Sequence, residues 1–457
     1  MVDKILIANR GEIALRIMRA ARELEIPTVV VYSEADRDSL PVRLADESVC
    51  IGPASSAKSY LSVPNIISAA LITNCDAIHP GYGFLSEDRY FAEICREYNL
   101  TFIGPSPEAI AKVANKALAR RTMKEAGLPT LPGTDEPVTS LDDALAQADQ
   151  IGYPIMLKPA AGGGGRGMRL VANEQELAQG FHLSRAEARA SFGDDEIYLE
   201  RYLEHCRHVE VQVLGDQHGN VIHLGERECS IQRRHQKLVE EAPCSILSGP
   251  VRRELGDAAV RGARAIGYTS AGTLEFLADD RGNFYFIEMN TRIQVEHGIT
   301  ELVTGVDIVR EQIRIASGEP LSLTQADVQF RGHAIECRIN AEEGSDFHPV
   351  SGRVSEALLP GGPGVRVDSH LYSGYTVPAH YDSLVAKVMV HGRDREEAIA
   401  RMDRALRETV IAGVPSTVPF LQEVVADDVF QSGNAHTDYV SSRARVIEEQ
   451  PLAHAGG

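Results

Sequence analysis

Two glutamates near the middle of the chain are predicted to face each other across a β-hairpin. Segments 273–277 and 284–290 alternate in polarity, as strands do, and segment 280–283 (Asp-Arg-Gly-Asn) has the composition of a turn. A two-residue loop pairs Glu275 with Glu288 and places both carboxylates on one face of the sheet.

This register has an electrostatic consequence. It also pairs Leu277 with Phe286 and leaves Asn290 on the face of the two glutamates. At about 5 Å and an effective dielectric of about 20, two like charges repel by about 3 kcal/mol. A divalent cation removes that repulsion, and carboxylate and amide oxygens suit Mg²⁺ or Mn²⁺. The alternatives are an edge hairpin with solvated carboxylates or a register shifted by one residue.

The loop after the hairpin carries an unusual number of functional side chains. Arg292, Gln294, Glu296 and His297 follow one another within eight residues of Asn290. Loops held on a rigid sheet are common positions for binding and catalysis. This loop therefore favours a functional site over a purely structural hairpin.

Composition bounds the protein class. A chain of 457 residues with 43% hydrophobic residues can form two or three globular domains. The net charge of −19 argues against nucleic acid as a partner. We find no long apolar span and no signal-peptide pattern, so neither a membrane nor secretion is expected. Seven scattered cysteines without C-x-x-C spacing are typical of reduced cytoplasmic thiols.

The first third alternates strands and helices. Segments 4–8 and 28–32 are predicted strands and segment 12–24 is a predicted helix, a rhythm that predicts a doubly wound parallel sheet. The intervening turn, 9–12, lacks the dinucleotide fingerprint. The Gly/Pro-rich segment 79–87 follows a strand, where ligands bind in such sheets.

A glycine-rich loop follows the next predicted strand. Strand 153–159 contains Lys158, and segment 161–168 contains four consecutive glycines followed by Arg166. Backbone N–H groups and positive charge in this arrangement favour a lid over phosphates, although a flexible linker has the same composition. The basic run 233–237 is either a solvated charge cluster or an anion site. The last third, 331–439, is predicted to be mostly strands with one or two helices.

Together these motifs resemble the biotin carboxylase component of biotin-dependent carboxylases, an ATP-grasp family. The resemblance extends from residue 5 to about residue 439. Its blocks are Ile7-Ala8-Asn9-Arg10-Gly11-Glu12, the 79–87 loop, 162–168, 232–237, 288–297 and Glu336-Cys337-Arg338-Ile339-Asn340.

The resemblance implies an α/β and α+β fold with three domains. They are an N-terminal doubly wound parallel-sheet domain (1–114), an ATP-grasp domain (115–330) with a mobile glycine-loop lid at about 131–203, and a C-terminal mixed β domain (331–446), followed by a disordered tail (447–457). The implied reaction is the ATP- and bicarbonate-dependent carboxylation of biotin through carboxyphosphate. Since the chain has neither a biotinylation motif nor room for a transferase, the implied partners are a biotin carboxyl carrier protein and a carboxyltransferase subunit, with a homodimer as the expected assembly.

The resemblance also implies residue roles. Glu275, Glu288 and Asn290 match the ligands of Mg²⁺ or Mn²⁺. The residues that match ATP contacts are Lys116, Lys158, Gly164, Gly165, Gly167, Met168, Glu200, Leu203, His208, Gln232 and His235. The bicarbonate pocket matches Lys237, Arg292, Gln294 and the Val295 backbone. Glu296 matches the general base, and its closeness to Arg292 is expected to keep it ionised. Arg338 matches the group that stabilises the biotin enolate, with Tyr82 and Gly83 beside the biotin.

Two positions depart from the family pattern, and two other functions remain open. Gly298 stands where proline is usual and is expected to loosen the loop beyond Glu296. Asn115 stands where aspartate is common. The alternatives are another ATP-grasp ligase acting through an acyl phosphate, and a nucleotide-sensing subunit that has lost turnover.

Overall fold

The computed structural model describes residues 2–160, 167–234, 236–344 and 346–443. The predictions for Gly164, Gly165, His235 and the tail 447–457 lie outside these residues. Among the helices described, none combines the length and apolar character needed to cross a membrane.

The first third contains five short strands and five helices. The strands are Ile5–Ile7 (β1), Thr28–Tyr32 (β2), Glu47–Cys50 (β3), Ala77–His79 (β4) and Thr101–Phe102 (β5), and the helices are Gly11–Glu23 (α1), Leu40–Leu44 (α2), Val63–Ile72 (α3), Arg89–Glu97 (α4) and Pro107–Ala114 (α5). All neighbouring strands are parallel, in the order β3-β2-β1-β4-β5. Ile5 and Leu6 belong to different apolar cores, so both faces of the sheet are covered and the doubly wound prediction is confirmed.

The next segment forms a small sheet with its own helices. The helix Lys116–Glu125 (α6) precedes it and packs through Met123 into a different core. The elements of the small sheet and its helices are Leu141–Ile151 (α7), Ile155–Pro159 (β6), Arg169–Val171 (β7), Glu174–Phe192 (α8) and Ile197–Arg201 (β8). The antiparallel order β7-β6-β8 and a separate core that includes Leu157 and Phe181 make this a distinct layer, which we call the lid sheet. Lys158 lies in β6 as predicted, and Glu200 lies within β8.

The rest of the chain builds one large antiparallel sheet. Its first elements are Arg207–Gly215 (β9), Val221–Arg233 (β10), Gln236–Ala242 (β11), Gly249–Ile266 (α9), Ser270–Ala278 (β12), Phe284–Asn290 (β13), His297–Thr304 (α10) and Ile308–Ala316 (α11). The remaining elements are His333–Asn340 (β14), Glu342–Glu343 (β15), His348–Pro349 (β16), Gly352–Arg353 (β17), Glu356–Leu358 (β18), Val365–Ser369 (β19), Thr376–Val377 (β20), Leu384–Gly392 (β21), Arg395–Glu408 (α12), Val410–Ala412 (β22), Val418–Ala426 (α13) and Asp428–Gln431 (α14).

Eight strands of this region form the central sheet, in the order β13-β12-β9-β10-β11-β14-β21-β19. Three strands from the last third of the chain therefore continue the sheet that begins in the middle third. Val209, Val211 and Leu274 pack with α9 on one side. The alternate residues of the same strands face the other side, which carries the polar site described below.

The hairpin of β12 and β13 confirms one predicted pair and contradicts the other. Glu275 pairs with Glu288 as expected, but Leu277 pairs with Tyr285 and Phe276 pairs with Phe286. Ile287 is the extra residue, so β13 contains a bulge.

The predicted two-residue turn is also wrong. The Asp279 carboxylate, rather than that of Asp280, accepts from the backbone N–H groups of Arg281 and Asn283 at 3.0 and 2.9 Å. Gly282 supplies a φ of +83°. The three-residue turn and the one-residue bulge compensate, which restores the pairing of the two glutamates.

Candidate active site

The largely buried ammonium group of Lys237 lies at the centre of the polar side of the central sheet. Lys237, on β11, donates to Glu275 Oε1 at 3.0 Å and Glu296 Oε1 at 2.6 Å, and also donates to Glu210. Burial alone lowers the pKa of Lys237, but the three surrounding carboxylates raise it well above its ordinary value. Lys237 therefore stays charged and holds three acids together.

Glu296 is completely buried between two cations. Its Oε1 accepts from Lys237, and its Oε2 accepts from Arg338 Nη2 at 2.9 Å. Burial acts to raise the pKa of Glu296, but Lys237, Arg338 and Arg227 hold it well below its ordinary value. The prediction of an ionised carboxylate agrees with this pKa, although Lys237, Arg338 and Arg227 act on Glu296 more strongly than Arg292 does.

Glu275 accepts hydrogen bonds from several directions. Asn290 Nδ2, Gln294 Nε2 and Lys237 Nζ donate to Oε1 at 2.9, 3.1 and 3.0 Å. His208 Nε2 lies 2.8 Å from Oε2. Burial opposes ionisation, but Lys237 and His208 lower the pKa of Glu275 strongly.

Glu288, directly opposite, has a different environment. Burial and the charge of Glu275 raise the pKa of Glu288, and Lys116 only partly offsets them. Among the described residues, none donates a side-chain hydrogen bond to the Glu288 carboxylate. This carboxylate is therefore free to bind a cation.

The chemistry of this donor set fits a hard divalent cation. The oxygens of Glu275, Glu288 and Asn290 lie on paired strands, and burial and Glu275 raise the pKa of Glu288 more than Lys116 and His208 lower it. His208, Glu210 and Glu275 also bring three possible ligand atoms within 4.8 Å of one another. Sequence analysis did not include Glu210 in this set.

Arg292 connects the site to the N-terminal sheet. Its Nε donates to Glu87 Oε2 at 2.9 Å, and its two Nη atoms donate to Gln294 and Asn290 at 3.1 Å each. The backbone N–H of Thr291 also donates to Glu87 at 2.9 Å. Arg292 is thereby fixed in the loop that the sequence predicted to be functional.

Arg338, on β14, bridges two acids. Nε donates to Glu240 Oε1 at 2.5 Å and Nη2 donates to Glu296. Burial raises the pKa of Glu240 to about 7, with Arg338 acting against it. The guanidinium is therefore oriented rigidly beside the buried Glu296 carboxylate.

Several contributors were missed from the sequence. Arg227, fully buried on β10, donates to Glu210 at 2.6 Å and to Gln212 and Thr300 at 2.9 Å each. Glu210 and Arg227 are charged residues in strands, and Glu240 lies between Leu238 and Ala242 along one face of β11. The sequence signal that could have identified these residues is a charged side chain within a predicted strand that is otherwise apolar.

The lid sheet holds a second group of predicted residues. Lys158 pairs with Glu200, and Arg120 Nη1 donates to Glu200 at 3.2 Å. Gly167 has a φ of +75°, and Met168 and Leu203 are half-buried. Within the described residues, this group makes no side-chain hydrogen bond to the central group.

The remaining predicted residues belong to neither the group around Lys237 nor the group around Lys158. Gln232 donates from Nε2 to the Cys229 carbonyl at 2.7 Å and lies 2.6 Å from His208 Nδ1. The Tyr82 hydroxyl donates to Glu12, and Gly83 adopts a φ of +68°. Lys116 begins α6 on the side of Glu288.

The structure shows the surroundings of the two residues that depart from the family pattern, Asn115 and Gly298. Asn115 caps α6 by accepting from the Leu118 N–H at 2.9 Å, a role that aspartate fills equally well. Gly298 is buried at the start of α10, where an added Cβ would lie 2.3 Å from Met389 Sδ. Met389 therefore occupies the space that a side chain at position 298 would need.

A parallel-sheet domain, a lid sheet and an acid-lined antiparallel sheet define an ATP-binding α/β enzyme of the ATP-grasp class. Three family models match consecutive parts of the chain and support this class. Biotin carboxylase, N-terminal domain, matches residues 1–110; carbamoyl-phosphate synthase L chain, ATP binding domain, matches residues 115–324; and biotin carboxylase C-terminal domain matches residues 336–442. The chain belongs to the biotin carboxylase family.

Relatives and solved structures support membership of the same family. The chain is 57% identical to biotin carboxylase of Nostoc sp., covering 96% of this chain and 98% of that protein, and 54% identical to biotin carboxylase 1 of Bacillus subtilis, covering 97% and 99%. A biotin carboxylase complex from Campylobacter jejuni superimposes with a TM-score of 0.95 at 48% identity, covering 97% of this chain and 99% of that one.

A second solved structure is the biotin carboxylase domain dimer of Hydrogenobacter thermophilus 2-oxoglutarate carboxylase with MgADP, ADP and bicarbonate. It superimposes with a TM-score of 0.94 at 47% identity, covering 99% of this chain and 100% of that one. The predicted fold and reaction class are therefore confirmed: the chain is an ATP-dependent ligase that carboxylates biotin with bicarbonate.

Proposed function

We propose that the chain carboxylates biotin on a separate carrier protein by way of carboxyphosphate, as the first half-reaction of a multisubunit carboxylase. One observation carries this proposal: the buried, ionised Glu296 lies between Lys237, which also contacts Glu275, and Arg338. A base is thus placed between the nucleotide side and the biotin side of one site.

Glu296 is the proposed general base. With its pKa held low by neighbouring cations, it is ionised at neutral pH and can accept the proton of bicarbonate. Deprotonation strengthens the nucleophilic oxygen, which attacks the γ-phosphorus of ATP and releases ADP. Lys237, Arg292, Gln294 and the Val295 backbone are the groups we assign to holding bicarbonate during this step.

Glu275, Glu288 and Asn290 are the proposed holders of Mg²⁺ or Mn²⁺. When bound, the metal supplies positive charge to the ATP phosphates. The ATP contacts that we propose are Lys116, Lys158, Gly164, Gly165, Gly167, Met168, Glu200, Leu203, His208, Gln232 and His235. Closure of the lid excludes water from the carboxyphosphate.

Arg338 is the proposed stabiliser of biotin. Carboxyphosphate breaks down to CO₂ and phosphate, the phosphate accepts the proton of the ureido nitrogen, and that nitrogen attacks CO₂. The negative charge that develops on the ureido oxygen is stabilised by a guanidinium already held in place by two carboxylates. Tyr82 and Gly83 are assigned to the rim of the biotin pocket. Removing either acid that positions Arg338 weakens this stabilisation.

The assembly that we propose includes a biotin carboxyl carrier protein, a carboxyltransferase subunit and a second copy of this chain. The related Hydrogenobacter domain is a dimer. All seven cysteines are free thiols, which supports a reducing, cytoplasmic location. We retain the three-domain division at residues 114, 330 and 446 as part of this proposal.

The test measures ADP release with bicarbonate, with and without free biotin. We expect ADP release to require bicarbonate and to be stimulated by biotin. ADP release indifferent to both would contradict the proposal and favour another ATP-grasp ligase acting through an acyl phosphate. ADP binding without any turnover would favour a nucleotide-sensing subunit.

A further inference from the structure

Lys387 is a completely buried lysine on β21 that the proposed reaction does not use. Its ammonium donates to the Val295 carbonyl at 2.7 Å and lies 3.1 Å from Glu12 Oε1 and 3.9 Å from Asp368 Oδ2. Burial acts to lower the pKa of Lys387, but Glu12, Glu336 and Asp368 raise it above its ordinary value. The group is therefore charged, and its hydrogen bond to Val295 and its ion pair with Glu12 fix its direction.

Each of its two nearest partners belongs to a different part of the site. The Val295 carbonyl is half of the peptide unit that ends in the Glu296 N–H, so a bond to this carbonyl fixes the backbone at the proposed base. Glu12, in the first turn of α1, accepts from the Tyr82 hydroxyl as well. Lys387 thus connects the loop of the base with the loop of the proposed biotin rim through one carboxylate.

Asn9 supports the same rim from the turn before α1. Its Nδ2 donates to the carbonyls of Pro80 and Tyr82 at 2.6 and 2.8 Å. The motif that contains Asn9 and Glu12, which matched the family without an assigned role, therefore holds the loop that carries Tyr82.

The two loops are joined at a second point. Glu87, at the far end of the rim loop, pairs with Arg292 and accepts from the Thr291 N–H. Segments 80–87 and 290–296 are therefore connected at two points. One connection is the Glu87–Arg292 pair, and the other runs from Tyr82 through Glu12 and Lys387 to Val295.

We propose that Lys387 is a positioning residue that fixes the Val295–Glu296 peptide for bicarbonate and couples it, through Glu12, to the biotin rim. This inference deepens the proposed function and rests on it. Lys387 does not touch substrate. It acts because a buried carbonyl and a buried carboxylate share one donor, so movement of either loop would leave a buried group without its partner.

The kinetic test uses Lys387→Met and the double variant Lys387→Met with Glu12→Gln. The single variant leaves a buried carboxylate without its cation and is expected to lose stability. The double variant removes both charges and is expected to regain most of it. In both variants the Val295 carbonyl has lost its donor, so we expect the KM for bicarbonate to rise about tenfold while the KM for ATP changes less than about twofold.

Hydrogen exchange by mass spectrometry supplies a readout that does not depend on turnover. Both variants are expected to exchange faster in segments 80–87 and 290–297. Lys4→Met is the matched control, because Lys4 also bonds a carboxylate and a carbonyl, Glu47 at 2.6 Å and Thr73 at 2.8 Å, away from the site. It should leave both segments and both KM values unchanged.

The outcomes separate this inference from the proposed function. If the double variant regains both stability and the parental KM for bicarbonate, Lys387 is merely a structural charge partner and the inference is overturned. If the parent protein lacks bicarbonate-dependent ADP release, the proposed function fails, and the exchange data alone decide the coupling. Faster exchange in both segments then supports the coupling, whereas unchanged exchange overturns it.

Discussion

The central sheet and the lid sheet both carry residues of the proposed ATP site, but they hold them differently. In the central sheet, Lys237 lies among three buried carboxylates, Glu210 on β9, Glu275 on β12 and Glu296 at the start of α10. In the lid sheet, Lys158 and Glu200 pair on adjacent strands, next to a glycine segment. In the central sheet, strand pairing fixes the positions of the charged side chains. The lid sheet lies next to a glycine-rich segment, a composition typical of a loop that closes over a ligand.

This contrast predicts different kinetic effects. Changes in the central group should affect the chemical step, since we propose that its charges surround the reacting atoms. Changes in the lid group should affect nucleotide affinity, since we propose that its charges bind the ATP phosphates from one side.

Glu296→Gln should give the largest effect. Turnover is expected to fall at least about a thousandfold, because the base is lost while the side chain keeps its shape. Steady-state ADP release measures turnover, and calorimetry should find ADP affinity within about twofold of the parent. Glu343→Gln, an exposed glutamate, is the control. Near-normal turnover of Glu296→Gln would exclude Glu296 as the base.

Lys158→Gln should mainly raise the KM for ATP. We expect about a tenfold increase, equivalent to about 1.4 kcal/mol, with a smaller change in kcat. Lys124→Gln is the matched control, because Lys124 pairs with Asp135 at 3.2 Å on the surface. A large loss of kcat with an unchanged KM would contradict the division between the two sheets.

Features that depend on local sequence signals could be predicted, whereas features that depend on contacts distant in sequence could not. The fold class and the Arg292–Glu296 loop could be predicted because alternation along strands and residue composition are local signals. The Glu275–Glu288 pair was predicted with the wrong turn, and the pairing holds because the three-residue turn and the bulge compensate. Together with that turn, the bulge at Ile287 leaves the pairing of the two glutamates unchanged, so strand alternation could not predict it. The contribution of Arg227 to the low pKa of Glu296 was also missed, because Arg227 lies on a strand distant in sequence.

Glu240→Gln should change the pH dependence of stability. Burial raises the pKa of Glu240 to about 7, so between its unfolded pKa and this value the folded protein binds the extra proton. Stability contributed by this group is therefore present at low pH and lost as pH rises through about 7. The melting temperature of the parent should fall relative to that of Glu240→Gln between about pH 5 and pH 8. Parallel melting curves would show that Glu240 does not titrate in this range.

Asn115→Ala should give the smallest effect. It removes the cap of α6 and is expected to cost about 1 kcal/mol of unfolding free energy, whereas Asn115→Asp should be nearly neutral. Denaturant unfolding measures both. Equal losses in the two variants would show that the departure at this position has a role other than capping.

The central claim is that Glu275 and Glu288 are tolerated together because a metal-bound nucleotide lies between them. Thermal unfolding of the parent and of Glu288→Gln, with and without MgADP, tests it most directly. Without metal, removing the charge of Glu288 should raise the melting temperature, because burial and Glu275 disfavour that charge. With MgADP at about a hundred times its parental Kd, the parent should gain about 2.7 kcal/mol and the variant should lose most of that gain. A variant that is no more stable without metal and is fully stabilised by MgADP would contradict the account.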